Sequence, residues 1–277
     1  MSGLLEVIAL HPADAERAEA GGADRVEVCG SLDDGGMSPT PQLVDQIRRA
    51  TTIQVRVMVR LRAGFGTDGG EAVRLRGLMA SYADAGADGM VLGFLNGLGD
   101  VDAGVVNELI ADGTWPWTFH RALDACLDQN RAWAALSTLP RLDQVLTAGS
   151  ARDVEHGLND LLDRAKGDPW VASVMMAGGG LRPEHVPWLA RSGVRAFHIG
   201  KPARPGGSYK AYVDEALVRS WRTLIDEELR HRVRTAARRE QEHPEQRPHT
   251  GRDRLHPSNI HKRPRCSPEA RRSGKGR

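Results

Sequence analysis

Three cysteines in 277 residues (Cys29, Cys126 and Cys266) are too few and too scattered for a disulfide framework, so a reducing, cytoplasmic setting is expected. Aromatic residues make up only 5% of the chain, so the core must be aliphatic, and a hydrophobic content of 40% supplies it. No apolar run approaches the roughly 20 residues of a membrane span, and no membrane association is expected. Residues Met1 to Leu10 lack a basic region followed by a long apolar stretch, so no signal peptide is expected. No Gly-rich dinucleotide turn follows Leu10, which argues against a doubly wound open sheet.

Charge is unevenly distributed. From residue 231 onward there are 14 Lys and Arg against 5 Asp and Glu, a tail of +9 on a chain of +2, so residues 1–230 carry −7. The pI of about 8.5 therefore describes the tail, and nucleic acid is not an expected partner of the body. The tail is rich in Arg, His, Pro and Ser and holds His231, His243, His249, His256 and His261. It has too few apolar residues to fold alone, so residues 231–277 are expected to be a disordered extension to a single domain at 1–230.

Within the body one phrase recurs. Gly22-Ala23-Asp24-Arg25-Val26-Glu27-Val28 has the form of Gly86-Ala87-Asp88-Gly89-Met90-Val91-Leu92, with looser versions at 142–147 and 193–198. Each reads as a helix ending on Gly, a short turn, then a strand. Strands are expected near 4–10, 25–29, 53–60, 88–94, 115–119, 142–147, 171–176 and 194–199. Helical patterns fill the gaps at 12–20, 41–50, 71–85, 102–111, 130–138, 152–165 and 183–192, with a last helix at about 211–230. Eight β/α units in about 230 residues predict a TIM (β/α)8 barrel.

The period of two along a strand then sorts inner from outer side chains. Glu6 and Ile8, Glu27 and Cys29, Arg56, Met58 and Arg60, and Thr118 and His120 are expected inside, with Arg62 continuing the third strand's parity. Buried glutamates and arginines should pair, whether they serve only the fold or also a reaction. The stretch Thr118-Phe119-His120-Arg121-Ala122-Leu123-Asp124 places polar groups where an apolar strand ends, the end at which barrel active sites are built. His120 is the candidate general acid or base, Asp124 its orienting partner, and Glu27 or Glu6 a second base. Arg60, Arg62 and Arg121 suit a carboxylate or phosphate. Gly178, Gly179 and Gly180, with His198 and Lys201, follow the seventh and eighth strands as a candidate anion site. No inner-face lysine is available for a Schiff base. This set suits isomerase or lyase chemistry on a small anionic substrate, phosphorylated ones included.

Together these stretches resemble the CutC family of copper homeostasis proteins. The matching residues are Leu5-Glu6-Val7, Gly21 to Cys29, Gly35 to Pro39, Val57 to Arg60, Arg62, Gly86 to Gly89, Thr118 to Asp124, Leu146 to Gly149, Gly178 to Gly180 and Phe197-His198. The resemblance implies a TIM barrel, a cytoplasmic location, homo-oligomers and a copper role. Cytoplasmic copper would be Cu(I), which favours thiolate and thioether ligands. Cys29 is then the candidate ligand, with Met58, Met176 or Cys126 as helpers and His120 or His198 as substitutes. The chain departs from the family pattern at Ile8, where a cysteine is common, at Leu61 and Ala63 within the third-strand motif, at Ala177, and at Ile199-Gly200 after the final histidine.

Overall fold

The computed structural model describes residues 3–32 and 35–242, with side chains described as far as Arg232. Eight parallel strands close into a barrel in chain order. They are β1 (Leu4–Ala9), β2 (Arg25–Val28), β3 (Gln54–Met58), β4 (Gly89–Leu92), β5 (Trp117–Phe119), β6 (Leu142–Thr147), β7 (Met175–Ala177) and β8 (Ala196–Ile199). The helices between them are α1 (Pro12–Ala20), α2 (Pro41–Ala50), α3 (Gly69–Asp84), α4 (Ala103–Ile110), α5 (Gln129–Leu136), α6 (Val154–Gly167), α7 (Pro169–Val174), α8 (Val186–Ser192) and α9 (Glu215–Glu242). This is the expected TIM barrel. None of the described helices is long and apolar enough to cross a membrane.

The recurring Gly-Ala-Asp phrase has a physical cause at each residue. After α1, Ala23 N–H bonds to Ala18 O and Gly22 N–H to Glu19 O; after α3, Ala87 bonds to Tyr82 O and Gly86 to Ala83 O. This pair of bonds is the Schellman ending, and Gly22 and Gly86 take the positive φ it requires, 91° and 90°. The aspartate then reaches sideways to the start of the preceding strand: Asp24 accepts Leu5 N–H and Asp88 accepts Val55 N–H. One short phrase therefore ends a helix, sets the next strand and ties it to its neighbour.

Two expectations need correction. The apolar run 171–176 is mostly helix α7, and β7 starts only at Met175. Asp168 caps this helix through Trp170 N–H, and Pro169 occupies its first position, which starts a helix as readily as it interrupts a strand. The last helix also does not stop near 230. α9 runs on to Glu242, because Arg, Ala, Glu and Gln dominate the added turns and all are strong helix formers. Residues 243–277, and with them most of the expected disordered tail, lie outside the described residues.

Outward side chains Val7, Val26, Val28, Val55, Val57 and Val59 are fully buried against the helices. The interior is less usual. Where such barrels stack branched aliphatic side chains, this one encloses Glu6, Arg25, Glu27 and Arg56, none more than 2% exposed. A second buried charge pair seals the seam between the first and last units. Arg204 donates to Asp14 Oδ2 (3.0 Å) and Ile8 O (3.0 Å), while Asp14 accepts Leu10 and Val213 N–H groups.

Candidate functional site

A cavity of about 760 Å³ opens at the C-terminal ends of the strands. Glu27, Arg60, His120, His198, Gly179 and Lys201 are among the residues that line it, supplied by five different strand ends. Strand parity and the two loops after β7 and β8 together bring these groups to one surface.

His120 directly follows β5. Its Nδ1 accepts the N–H of Ala122 (3.1 Å) and caps a short 3₁₀ turn over Arg121–Ala125. An Nδ1 that accepts leaves the proton on Nε2. Among the described residues, Nε2 is buried without a hydrogen-bond partner. The ring packs on Phe65 at 5.4 Å between centroids. Burial, and then the Arg60 guanidinium, push the imidazole down to about 3. His120 is thus a neutral N–H donor at physiological pH. Gly93 is required beside it, since a Cβ there would lie 2.6 Å from Nδ1.

Asp124 does not orient His120. It bonds Arg121 Nε (2.7 Å), Thr147 Oγ1 (2.6 Å) and Ala148 N–H instead. Burial raises its carboxyl against those bonds. Arg121 also donates to the carbonyls of Ser150 and Arg152, so much of its guanidinium is spent holding loops together. Arg60 is 6% exposed, lies 4.9 Å over the Phe65 ring and donates to Gly64 O. Arg62 turns away. It pairs with Glu71 (2.9 Å) and Asp68 (3.2 Å), a half-exposed position outside the cavity lining.

On the last two loops, Gly179 and Gly180 line the cavity with φ of 88° and 78°. Gly178 lies beneath, where a Cβ would strike Leu146 and His198. Lys201 is exposed, with Nζ 5.9 Å from the Tyr209 ring.

The barrel floor carries the strongest electrostatics. Glu6 accepts Arg25 Nε at 2.5 Å and faces His198 Nδ1 at 2.7 Å. Burial opposes its charge, yet Arg25 and the His198 bond hold its carboxyl down to about 2. Glu27 faces His198 Nε2 at 3.7 Å. Burial, with the Glu6 charge adding to it, raises its carboxyl to about 7. Burial opposes charge on His198, but the Glu6 bond and the Glu27 charge raise it. Arg56 pairs across the barrel with Asp143 of β6 rather than with either glutamate. Arg25 and Asp143 were not among the expected site residues. Arg25 has the parity of Glu27 and was legible by the same rule; Asp143 is the second residue of a strand whose first half is only partly buried.

Cys29 is 1% exposed and packs with Ile8, Met58 and Val91. Burial, and then the two glutamates, push its thiol well up. The Cys29 sulfur and the Met58 methyl both approach Gly36. Met176 instead accepts from Arg25 at the floor, and Cys126 bonds Ala122 O. The soft donors do not converge on one point, so the residues present do not make the thiolate-rich set that Cu(I) favours.

This fold and mouth define a TIM-barrel protein whose cavity sets a few cationic and acidic groups in largely apolar walls. The CutC family matches residues 4–202, and the chain belongs to that family. A CutC family protein of Klebsiella pneumoniae is 34% identical over 198 residues, covering 70% of this chain and 78% of the relative. One from Salmonella schwarzengrund is 32% identical over 238 residues, covering 84% and 94%. A solved structure named for the copper homeostasis protein CutC of Streptococcus agalactiae aligns with a TM-score of 0.63 at 24% identity, over 72% of this chain and 98% of that one, a likeness of fold.

Proposed function

We propose that the cavity binds a small anionic metabolite and performs proton-transfer chemistry of the isomerase or lyase type. One observation carries this reading: His120 Nε2–H, a buried donor with no acceptor among the described residues, next to the Arg60 guanidinium. A buried donor left unpaired costs about 1–3 kcal/mol, so a ligand oxygen is the natural partner. A neutral imidazole N–H polarises a carbonyl or carboxylate without giving up its proton, and Arg60 balances the charge that develops. On this reading Glu27, at the floor of the same cavity, is the candidate base. The volume suits a metabolite of ordinary size.

Thermal unfolding with a panel of phosphorylated and carboxylated metabolites, each beside a neutral analogue, tests this. A ligand at about 100 times its Kd stabilises by about 2.7 kcal/mol. The effect should be confined to anions and lost in His120→Ala. Equal stabilisation by neutral analogues, or unchanged binding in the variant, would overturn the reading.

Copper is the second reading. It is favoured by the name of the Streptococcus agalactiae relative, with Cys29 as the candidate ligand. On this reading Cu(I) is cargo. Anaerobic Cu(I) titration against a competing chelator, with Cys29→Ala alongside, checks it: tight binding lost in the variant supports copper, and indifference to Cys29 removes it. A cytoplasmic setting and self-association, both implied by the family resemblance, belong to this proposal, and light scattering on the purified protein measures the second.

A further inference from the structure

We infer that the barrel floor is a divalent metal site, with His198 Nε2 and Glu27 as ligands and Glu6 orienting the histidine from behind. This does not rest on the anion reading. Glu6, Glu27 and His198 offer ligand atoms that all lie within 4.8 Å of one another, and all three residues are buried. His198 Nδ1 is 2.7 Å from Glu6 Oε1. A carboxylate accepts, so Nδ1 carries a proton, and in the neutral imidazole Nε2 presents a lone pair. A metal-binding histidine held in this way by a carboxylate is the usual arrangement behind the ligands of a metal ion. Glu6 is itself fixed by Arg25, which takes its other oxygen.

The lone pair of Nε2 looks toward Glu27 Oε2, 3.7 Å away. Two acceptors that face each other need a positive charge between them. A proton on Nε2 makes this an ion pair, but at 3.7 Å it forms no N–H···O hydrogen bond, and a cation that displaces it can bond both atoms. A metal ion fits. Two bonds of about 2.1 Å span that separation when they open at about 120°, close to a tetrahedral or trigonal site. The second oxygen of Glu27, Oε1, is buried with no hydrogen-bond partner among the described residues, although the side chain is only 3% exposed. It is the atom that a cation or its bound water would satisfy. The remaining positions of such an ion face the cavity, since Glu27 and His198 both line it. One imidazole and one carboxylate select Zn²⁺, Mn²⁺ or Fe²⁺ rather than Cu(I). An ion there acts as a Lewis acid toward a ligand in the cavity.

The test uses the full chain, stripped with a chelator and titrated with Zn²⁺ against a chromophoric competitor. His243, His249, His256 and His261 also bind zinc in principle, so the readout is a difference in equivalents. Glu27→Gln and His198→Gln should each lose one equivalent relative to the wild type. Glu6→Gln should keep that equivalent but bind it about 10- to 100-fold more weakly. Equal stoichiometry in wild type, Glu27→Gln and His198→Gln overturns the site. A variant at the barrel floor can fail to fold, so a second measurement uses the wild type alone. Mn²⁺ added to protein with ¹³C-labelled isoleucine methyl groups should broaden Ile8, which is in register with Glu27, before Ile47 and Ile225 on the outer helices. Even broadening of all three, or none, also overturns it.

Discussion

Replacing His120 with glutamine should remove a loss of stability that sets in as pH falls below 6.5. In the folded chain the imidazole is pushed from 6.5 down to about 3, chiefly by burial. The unfolded chain therefore holds the extra proton between those two values. Stability from this group is complete above pH 6.5 and is lost as pH falls toward 3. At about 1.4 kcal/mol per pH unit the full loss is about 5 kcal/mol. Relative to His120→Gln, the wild type should lose about 1.4 kcal/mol at pH 5.5 and about 2.7 kcal/mol at pH 4.5. Urea unfolding of both proteins at pH 7.5, 6.5, 5.5 and 4.5 measures this, and the other carboxylates cancel in the difference. A difference that stays constant across the series would show that His120 titrates normally. That result would also refute the neutral, dry donor on which the anion reading depends.

Three further substitutions probe other parts of the molecule. Asp143→Ala leaves the Arg56 guanidinium in the barrel without its carboxylate; because the Asp143 side chain is 38% exposed, water offsets part of the loss, and about 2–3 kcal/mol is expected in urea unfolding. Gly93→Ala places a methyl 2.6 Å from His120 Nδ1 and should cost about 1–3 kcal/mol while abolishing anion-dependent stabilisation, read as a thermal shift. Gly157→Ala sets a Cβ 2.0 Å from Ala148 O, backbone against backbone, so it should lower the melting temperature more than Gly167→Ala, where nothing lies within 4 Å.

The barrel was legible because its signals are local. Alternation placed Glu6, Glu27, Arg56, Arg60 and His120 inside, and the Gly-Ala-Asp phrase marked where helices end and strands begin. Partnership was not legible, because it depends on how strands stagger around the closed sheet. Glu6 meets Arg25 on the adjacent strand, whereas Arg56 reaches Asp143, 87 residues away, and sequence parity gives no means of choosing between them. Asp124 failed as the partner of His120 for a related reason. The 3₁₀ turn of Arg121–Ala125 turns the chain so that Asp124 faces Thr147 while His120 caps the turn with its own ring. Arg62 left the cavity because Glu71 and Asp68, at the start of α3, offer it carboxylates nearer at hand. The apolar run before the triple glycine was ambiguous in principle, since a short hydrophobic segment satisfies either period.

The buried Arg204–Asp14 pair has a consequence for synthesis. It joins α1 to a segment 190 residues later, and β1 gains its second neighbour only when β8 arrives. Until then the partial sheet has two open edges, one of them β1. Open edges invite pairing with other chains, and inward-pointing charge is a known deterrent. Glu6, Arg25, Glu27 and Arg56 lie on the three strands that emerge first. The ionic interior of the finished barrel thus includes the strand that waits longest for its last neighbour, β1, where inward charge disfavours pairing with other chains.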